Sequence, residues 1–117
     1  MTQPNADYDT IVVGGGPSGA TAAHELANKG HRVLLLERGF RIKPCGGAIP
    51  PCLLQEFNIP DHLVVARIRS ARMISPKGQS VDMPIDGTFV GMVDRDEFDP
   101  WLRQRASDAG ATVVPGV

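Results

Sequence analysis

Two apolar runs joined by a glycine-rich turn constrain this chain more than any other feature. The first closes as Val12-Val13-Gly14-Gly15-Gly16-Pro17-Ser18-Gly19, and the second is Arg32-Val33-Leu34-Leu35-Leu36-Glu37. Ile11-Val12-Val13 is β-branched throughout and predicts a strand buried on both faces. Gly14 permits a tight turn out of that strand. Gly16 has no Cβ, so a pyrophosphate can approach its backbone, and Gly19 lets the following helix pack close to the sheet. Pro17 suits the first helical turn, where its missing N–H costs little. Ala20, Ala23 and Ala27 recur at helical spacing, and Gly30 is a good C′ residue. Residues 32–37 predict a second buried parallel strand.

Glu37 lies about 20 residues beyond the glycines, where a dinucleotide fingerprint carries an acid for the ribose 2′-OH. A carboxylate accepts from ribose hydroxyls and repels a 2′-phosphate. The pattern therefore suits FAD or NAD and disfavours NADP at this position. A glycine turn alone is weak, but here strand, turn, helix start, strand and acid stand in register.

The chain has 117 residues, enough for one small domain. Twelve basic residues balance thirteen acidic ones, which gives no electrostatic case for nucleic acid. No apolar run approaches the roughly 20 residues of a membrane helix. Residues 1–7 are polar, without a signal-peptide core, and are expected to form a disordered tail; residues 8–117 are expected to form the folded domain. Cys45 and Cys52 make no CxxC pair, in keeping with a reducing cytoplasm. No metal-ligand cluster is expected. The run 111–114 reads as a further parallel strand followed by three residues only, so the chain is expected to be a truncated portion of a larger doubly wound domain; a complete small module is the rival.

Between the parallel elements, residues 39–51 read as a loop and 52–57 as a short helix. Residues 67–75 and 80–85 read as strands flanking the turn 76–79, and 88–93 as a third. These are antiparallel candidates. A helix follows, starting either at Asp94, with Glu97 completing a capping box, or at Asp99 before Pro100. Phe98, Trp101, Leu102, Ala106 and Ala109 share one face. Arg95 in the first turn could reach a phosphate or pair with Asp96 or Asp99. The fold class expected is α/β: the N-terminal part of a Rossmann-like FAD-binding domain with parallel strands and an inserted antiparallel segment.

Three strings carry a resemblance: Lys43-Pro44-Cys45-Gly46-Gly47-Ala48-Ile49-Pro50, Ala71-Arg72-Met73-Ile74-Ser75-Pro76 and Gly91-Met92-Val93-Asp94-Arg95. With Tyr8-Asp9 and the glycine turn, they resemble the geranylgeranyl reductases of chlorophyll and bacteriochlorophyll synthesis, the bacteriochlorophyll branch most closely. The resemblance implies a FAD enzyme that uses NADPH to saturate all but one of the double bonds of a geranylgeranyl chain. The substrate would be a pigment ester or the free diphosphate. It implies that Gly14, Gly16, Pro17, Ser18 and Gly19 cradle the pyrophosphate and that Glu37 takes the ribose, while Arg38 either covers the adenine or is solvated. It implies that Cys45, Gly46 and Gly47 form a loop running toward the flavin, and that Arg95 contacts FAD. Cys45 is the candidate proton donor or a modulator close to the flavin; the plainer reading is a small residue filling a turn. The family's later Gly-Asp motif is absent here. The fragment alone is expected to be inactive, in the cytoplasm or peripheral on a photosynthetic membrane through a part beyond Val117. Alternatives are an archaeal-type lipid reductase, a FAD-dependent aromatic hydroxylase and an isolated nucleotide-binding module.

Overall fold

A parallel sheet and two antiparallel sheets form in separate parts of the chain. The computed structural model describes residues 6–39 and 41–117; residues 1–5 of the expected tail lie outside the described residues. Two compact units divide the chain: Met1–Lys43 with Asp96–Val117, and Pro44–Arg95.

In the first unit, β1 (Thr10–Val13) leads through the turn into helix α1 (Pro17–Asn28), then β2 (Val33–Glu37). The last helix, α3 (Arg95–Asp108), begins in the second unit and runs through the first to strand β8 (Thr112–Pro115). The order is β1-β2-β8, all parallel, with Val13 opposite Leu36 and Glu37 opposite Pro115. This is the expected α/β arrangement, and Glu37 ends its strand at the carboxyl edge, where such sheets bind ligands. Gly30 takes φ +86° just past α1 and its N–H donates to the Ala27 carbonyl, as a C′ glycine should.

The expectation that the first strand is buried on both faces is corrected. Ile11 is 59 % and Val13 82 % exposed. The strands are laid down in one direction, and right-handed crossovers then put α1 and α3 on the same side. His24 of α1 lies 3.4 Å from the Arg105 carbonyl of α3, which agrees. Among the described residues the opposite face of β1 is therefore uncovered. The covered side holds Ala20, Ala23, Val33, Leu35, Leu102 and Ala106.

The second unit holds β3 (Ala48–Ile49), helix α2 (Pro51–Glu56), β4 (Val64–Ile68), β5 (Ser70–Ile74), β6 (Ser80–Pro84) and β7 (Val90–Val93). β7 is central in β3-β7-β4, and β5 pairs only with β6. Two expectations change here. The run 67–75 is not one strand: Arg69 interrupts it, and the halves pair with different partners. The loop 39–51 contains β3, because the Gly47 carbonyl accepts from Val93 N–H and starts a ladder on β7. The β5–β6 ribbon is exposed throughout, with Met73, Val81 and Met83 each at least half exposed. α3 starts directly after Asp94, which decides between the two helix starts, and Pro100 lies inside the helix.

Candidate nucleotide-binding turn

Gly14 makes the turn with φ +104°, and its N–H extends the β1–β2 ladder to the Leu36 carbonyl at 2.8 Å. Gly16 is the N-cap of α1 and Pro17 its first residue, as expected. A Cβ on Gly16 would meet nothing within 4 Å, so its backbone faces open space at a helix N-terminus. That is room and polarity suited to a phosphate. Ser18 is exposed in the same first turn. Gly19 has a different reason from the one expected. Its Cβ would run into the Gly14 carbonyl before it met Val12, so the turn itself, more than helix–sheet packing, demands glycine.

Glu37 is tied to the turn. Its Oε2 accepts from Gly15 N–H, and its Oε1 from Gly39 N–H at 3.3 Å. Burial pushes the carboxyl up, but the Gly15 and then the Gly39 N–H, with the Arg103 and Lys43 cations, outweigh it. The group is held below the ordinary carboxylate range. A carboxylate offers about four lone-pair sites, so both ribose hydroxyls can still be accepted. Beside it lies a cavity of about 320 Å³ lined by Gly16, Glu37, Arg38, Arg41, Lys43 and Arg103, with Asp99 and Gly39 completing it.

Arg103 is the residue that sequence reasoning missed. Its Nη1 donates to the Gly15 carbonyl at 2.9 Å in a buried bond across 88 positions. Asp99 and Arg103 are both buried, one turn apart on α3. The signal was available: two charged residues adjoin the apolar series Phe98, Leu102 and Ala106 at helical spacing. Trp101, on the same predicted face, is half-buried with the Arg105 guanidinium 5.0 Å above its ring.

The first unit thus brings together Gly14, Gly16, Pro17, Ser18, Gly19, Glu37 and Arg38. Cys45, Gly46, Gly47 and Arg95 belong to the second unit. Cys45 and Gly46 are exposed; Gly47 is buried at φ +69°, where a Cβ would strike the Val93 carbonyl. Arg95 is half-buried at the first residue of α3. No group of metal-ligating side chains occurs among the described residues. No described helix is long and apolar enough to cross a membrane.

Residues 12–50 match the model of the NAD(P)-binding Rossmann-like domain. A geranylgeranyl diphosphate reductase of Rhodobacter capsulatus is 62 % identical over 93 % of this chain and 28 % of its own length. A digeranylgeranylglycerophospholipid reductase of Methanoculleus marisnigri is 41 % identical over 92 % of the chain and 29 % of its own. Among solved structures, a geranylgeranyl bacteriochlorophyll reductase-like protein of Thermoplasma acidophilum superimposes with TM-score 0.81. It is 30 % identical over 93 % of the chain and 30 % of its own. The FAD-dependent chondrochloren halogenase of a myxobacterium gives TM-score 0.76 at 26 % identity, over 93 % and 28 %. The chain spans less than a third of the length of these relatives. The resemblance read from the three strings holds, and the dinucleotide fold with it.

Proposed function

We propose, from a chain that runs with the geranylgeranyl reductases over nearly all its length, that the full-length protein is a FAD-dependent reductase of geranylgeranyl chains. The observation that carries this is the 62 % identity to the Rhodobacter capsulatus enzyme across a turn whose geometry fits FAD. The fit rests on the open approach to Gly16, the N-terminal N–H groups of α1, and Glu37 with acceptor sites to spare.

FAD, when bound, supplies hydride chemistry. The chain's own residues bind and orient it. Gly14, Gly16, Pro17, Ser18 and Gly19 form the cradle, and the helix dipole meets the pyrophosphate charge. Glu37 takes the ribose, and Arg38, on the cavity wall, covers the adenine. By resemblance to the family, Arg95 is a further FAD contact and Cys45-Gly46-Gly47 the loop that runs toward the flavin. NADPH is the electron donor in this reading; Glu37 repels its 2′-phosphate, so it acts elsewhere in the full-length protein. Cys45 is the proposed proton donor to the alkene carbon. The prenyl chain resides on a pigment ester or a diphosphate. Membrane association belongs to a part outside this chain. The Methanoculleus marisnigri relative favours a second reading, in which the same chemistry saturates a geranylgeranyl phospholipid.

The test uses the full-length protein. It retains FAD on desalting, and NADPH bleaches the flavin. Geranylgeranyl substrates gain one hydrogen molecule per saturated bond by mass spectrometry, and turnover on diphosphate, pigment ester and phospholipid ranks the two readings. A protein that holds no flavin, or that yields hydroxylated products, defeats both. Cys45→Ser is expected to keep FAD and to slow alkene turnover by about a hundredfold, the lower end of the range for a general acid. Unchanged turnover removes Cys45 from the chemistry.

A further inference from the structure

We propose that Arg103 is a positioning residue of the nucleotide site, holding Gly15 against Glu37 so that the ribose-binding carboxylate and the phosphate turn form one rigid unit with helix α3. The proposal rests on the nucleotide-binding reading above and assigns a residue outside the glycine and acidic pattern.

Gly15 is held from both sides. Its N–H donates to Glu37 Oε2, and its carbonyl accepts from Arg103 Nη1 at 2.9 Å. The packing leaves no slack, since a Cβ on Gly15 would lie 2.9 Å from both the Arg103 Cδ and Glu37 Oε2. A hydrogen bond in which one partner is charged is about twice as strong as a neutral one. Arg103 is buried, which strengthens the bond further and makes a replacement that cannot donate costly. Gly15 sits between the residue that turns the chain and the residue that faces the phosphate. Fixing its peptide therefore fixes the orientation of both neighbours. The cation beside Glu37 also favours the ionised carboxylate that ribose hydroxyls need. Asp99 faces the cavity from α3 with Arg103, and Arg38, Arg41 and Lys43 face it from the segment after β2.

The experiment titrates ADP and FAD into the full-length protein by calorimetry from about pH 3 to about pH 8, a window that opens roughly one unit below the ordinary glutamate value, where the limb of a depressed carboxylate lies. Arg103→Gln is expected to weaken ADP about tenfold, the weight of one charge-assisted bond, and to move the acid limb of binding to higher pH. Arg103→Lys keeps the charge and one donor, so it restores the acid limb and leaves a residual loss of about threefold, because it lacks the planar fork of the guanidinium. A merely structural arginine would lower the melting temperature without moving the acid limb. Wild-type ADP affinity and an unshifted limb in Arg103→Gln overturn the proposal.

If Arg103→Gln does not fold, Arg103→Lys is compared in the native and Glu37→Gln backgrounds. A loss of about threefold that appears only with Glu37 present supports the positioning role. Equal ADP affinities with and without the substitution, or equal losses in both backgrounds, overturn it. Failure of the underlying reading looks different, because Glu37→Gln itself would then leave ADP binding unchanged.

Discussion

Two carboxylates stand at opposite ends of the same β1–β2 pair; one is bound to an arginine, and the other to backbone N–H groups with an arginine nearby. Asp9 sits at the amino end, where its Oδ2 accepts from Arg32 N–H at 2.8 Å and Oδ1 pairs with the Arg32 guanidinium at 3.0 Å. Arg32 also donates to the Ala6 carbonyl at 2.7 Å. Glu37 sits at the carboxyl end with Gly15, Gly39 and Arg103. The two bridges span nearly equal stretches of chain, 23 and 22 positions, because each closes the same βαβ unit. Both groups are held below their ordinary pKa, for different reasons. For Asp9 the Arg32 side chain dominates. For Glu37 burial works against ionisation and backbone N–H groups overcome it. The amino-end carboxylate uses its lone pairs to fasten two strands. The carboxyl-end one stands beside a cavity, a phosphate-ready turn and a buried cation. Position on a parallel sheet makes one acid a fastener and the other a binding post.

The largest effect comes from breaking the turn that serves only the carboxyl end. Gly19→Ala drives a methyl into the Gly14 carbonyl, a backbone atom that cannot step aside. It is expected to lower stability by about 3 kcal/mol, in the range of backbone strain, as read by denaturant unfolding of the full-length protein. Wild-type stability would show that the turn relaxes and that Gly19 is not what holds its shape. Next in size is Glu37→Gln. It leaves one acceptor where the carboxylate had two, and it removes the charge. ADP affinity is expected to fall between about tenfold and a hundredfold, since hydrogen bonds to charged groups contribute roughly 1.5–3 kcal/mol. Asp9→Asn, at the other end of the same strands, is expected to leave ADP affinity unchanged. An equal loss in both variants would erase the distinction.

How much of this was legible follows the same division. The strands, the turn, the α1 boundaries and Glu37 were readable because each depends on neighbours within one βαβ unit. Gly14, Pro17 and Gly30 mean what they mean locally. Arg103 was not readable in its role, because its partner Gly15 lies 88 positions away and only the third strand's crossover brings α3 over the turn. The exposed side of β1 was missed for a related reason. The composition of Ile11-Val12-Val13 cannot say which face the helices occupy; that follows from crossover direction. In the second unit the run 67–75 looked continuous. Its division at Arg69 is set by β7 and β6 competing for partners, which is again tertiary. Cys45 could be placed on a loop from its glycines, but its chemical role is not written in local geometry.

Acid titration gives a smaller effect that sharpens the comparison. A carboxylate whose folded pKa is depressed binds fewer protons folded than unfolded between the two values. Its contribution is complete above the unfolded pKa and disappears as pH falls through the folded one. Both Asp9 and Glu37 have this sign, so the protein is expected to lose stability on acidification below the ordinary carboxylate range. Only Glu37 links that loss to ligand. ADP affinity should fall with acid along a limb that disappears in Glu37→Gln and persists in Asp9→Asn. The converse pattern, a limb that follows Asp9, would move the functional acid to the other end of the sheet.

The smallest effect is on stability in Asp9→Asn. The Arg32 side chain is 44 % exposed, so the ion pair itself is screened by solvent and salt. Asn keeps an acceptor for Arg32 N–H and loses the charge. The expected result is a slight drop in melting temperature that vanishes in high salt, because screening removes only what the charge added. Glu37→Gln should behave oppositely. Its bonds are to backbone N–H groups and its charge partner Arg103 is buried, so its deficit should persist in salt. If salt abolished both deficits alike, the two acids would be equivalent surface fasteners, and the functional distinction drawn from their positions would fail.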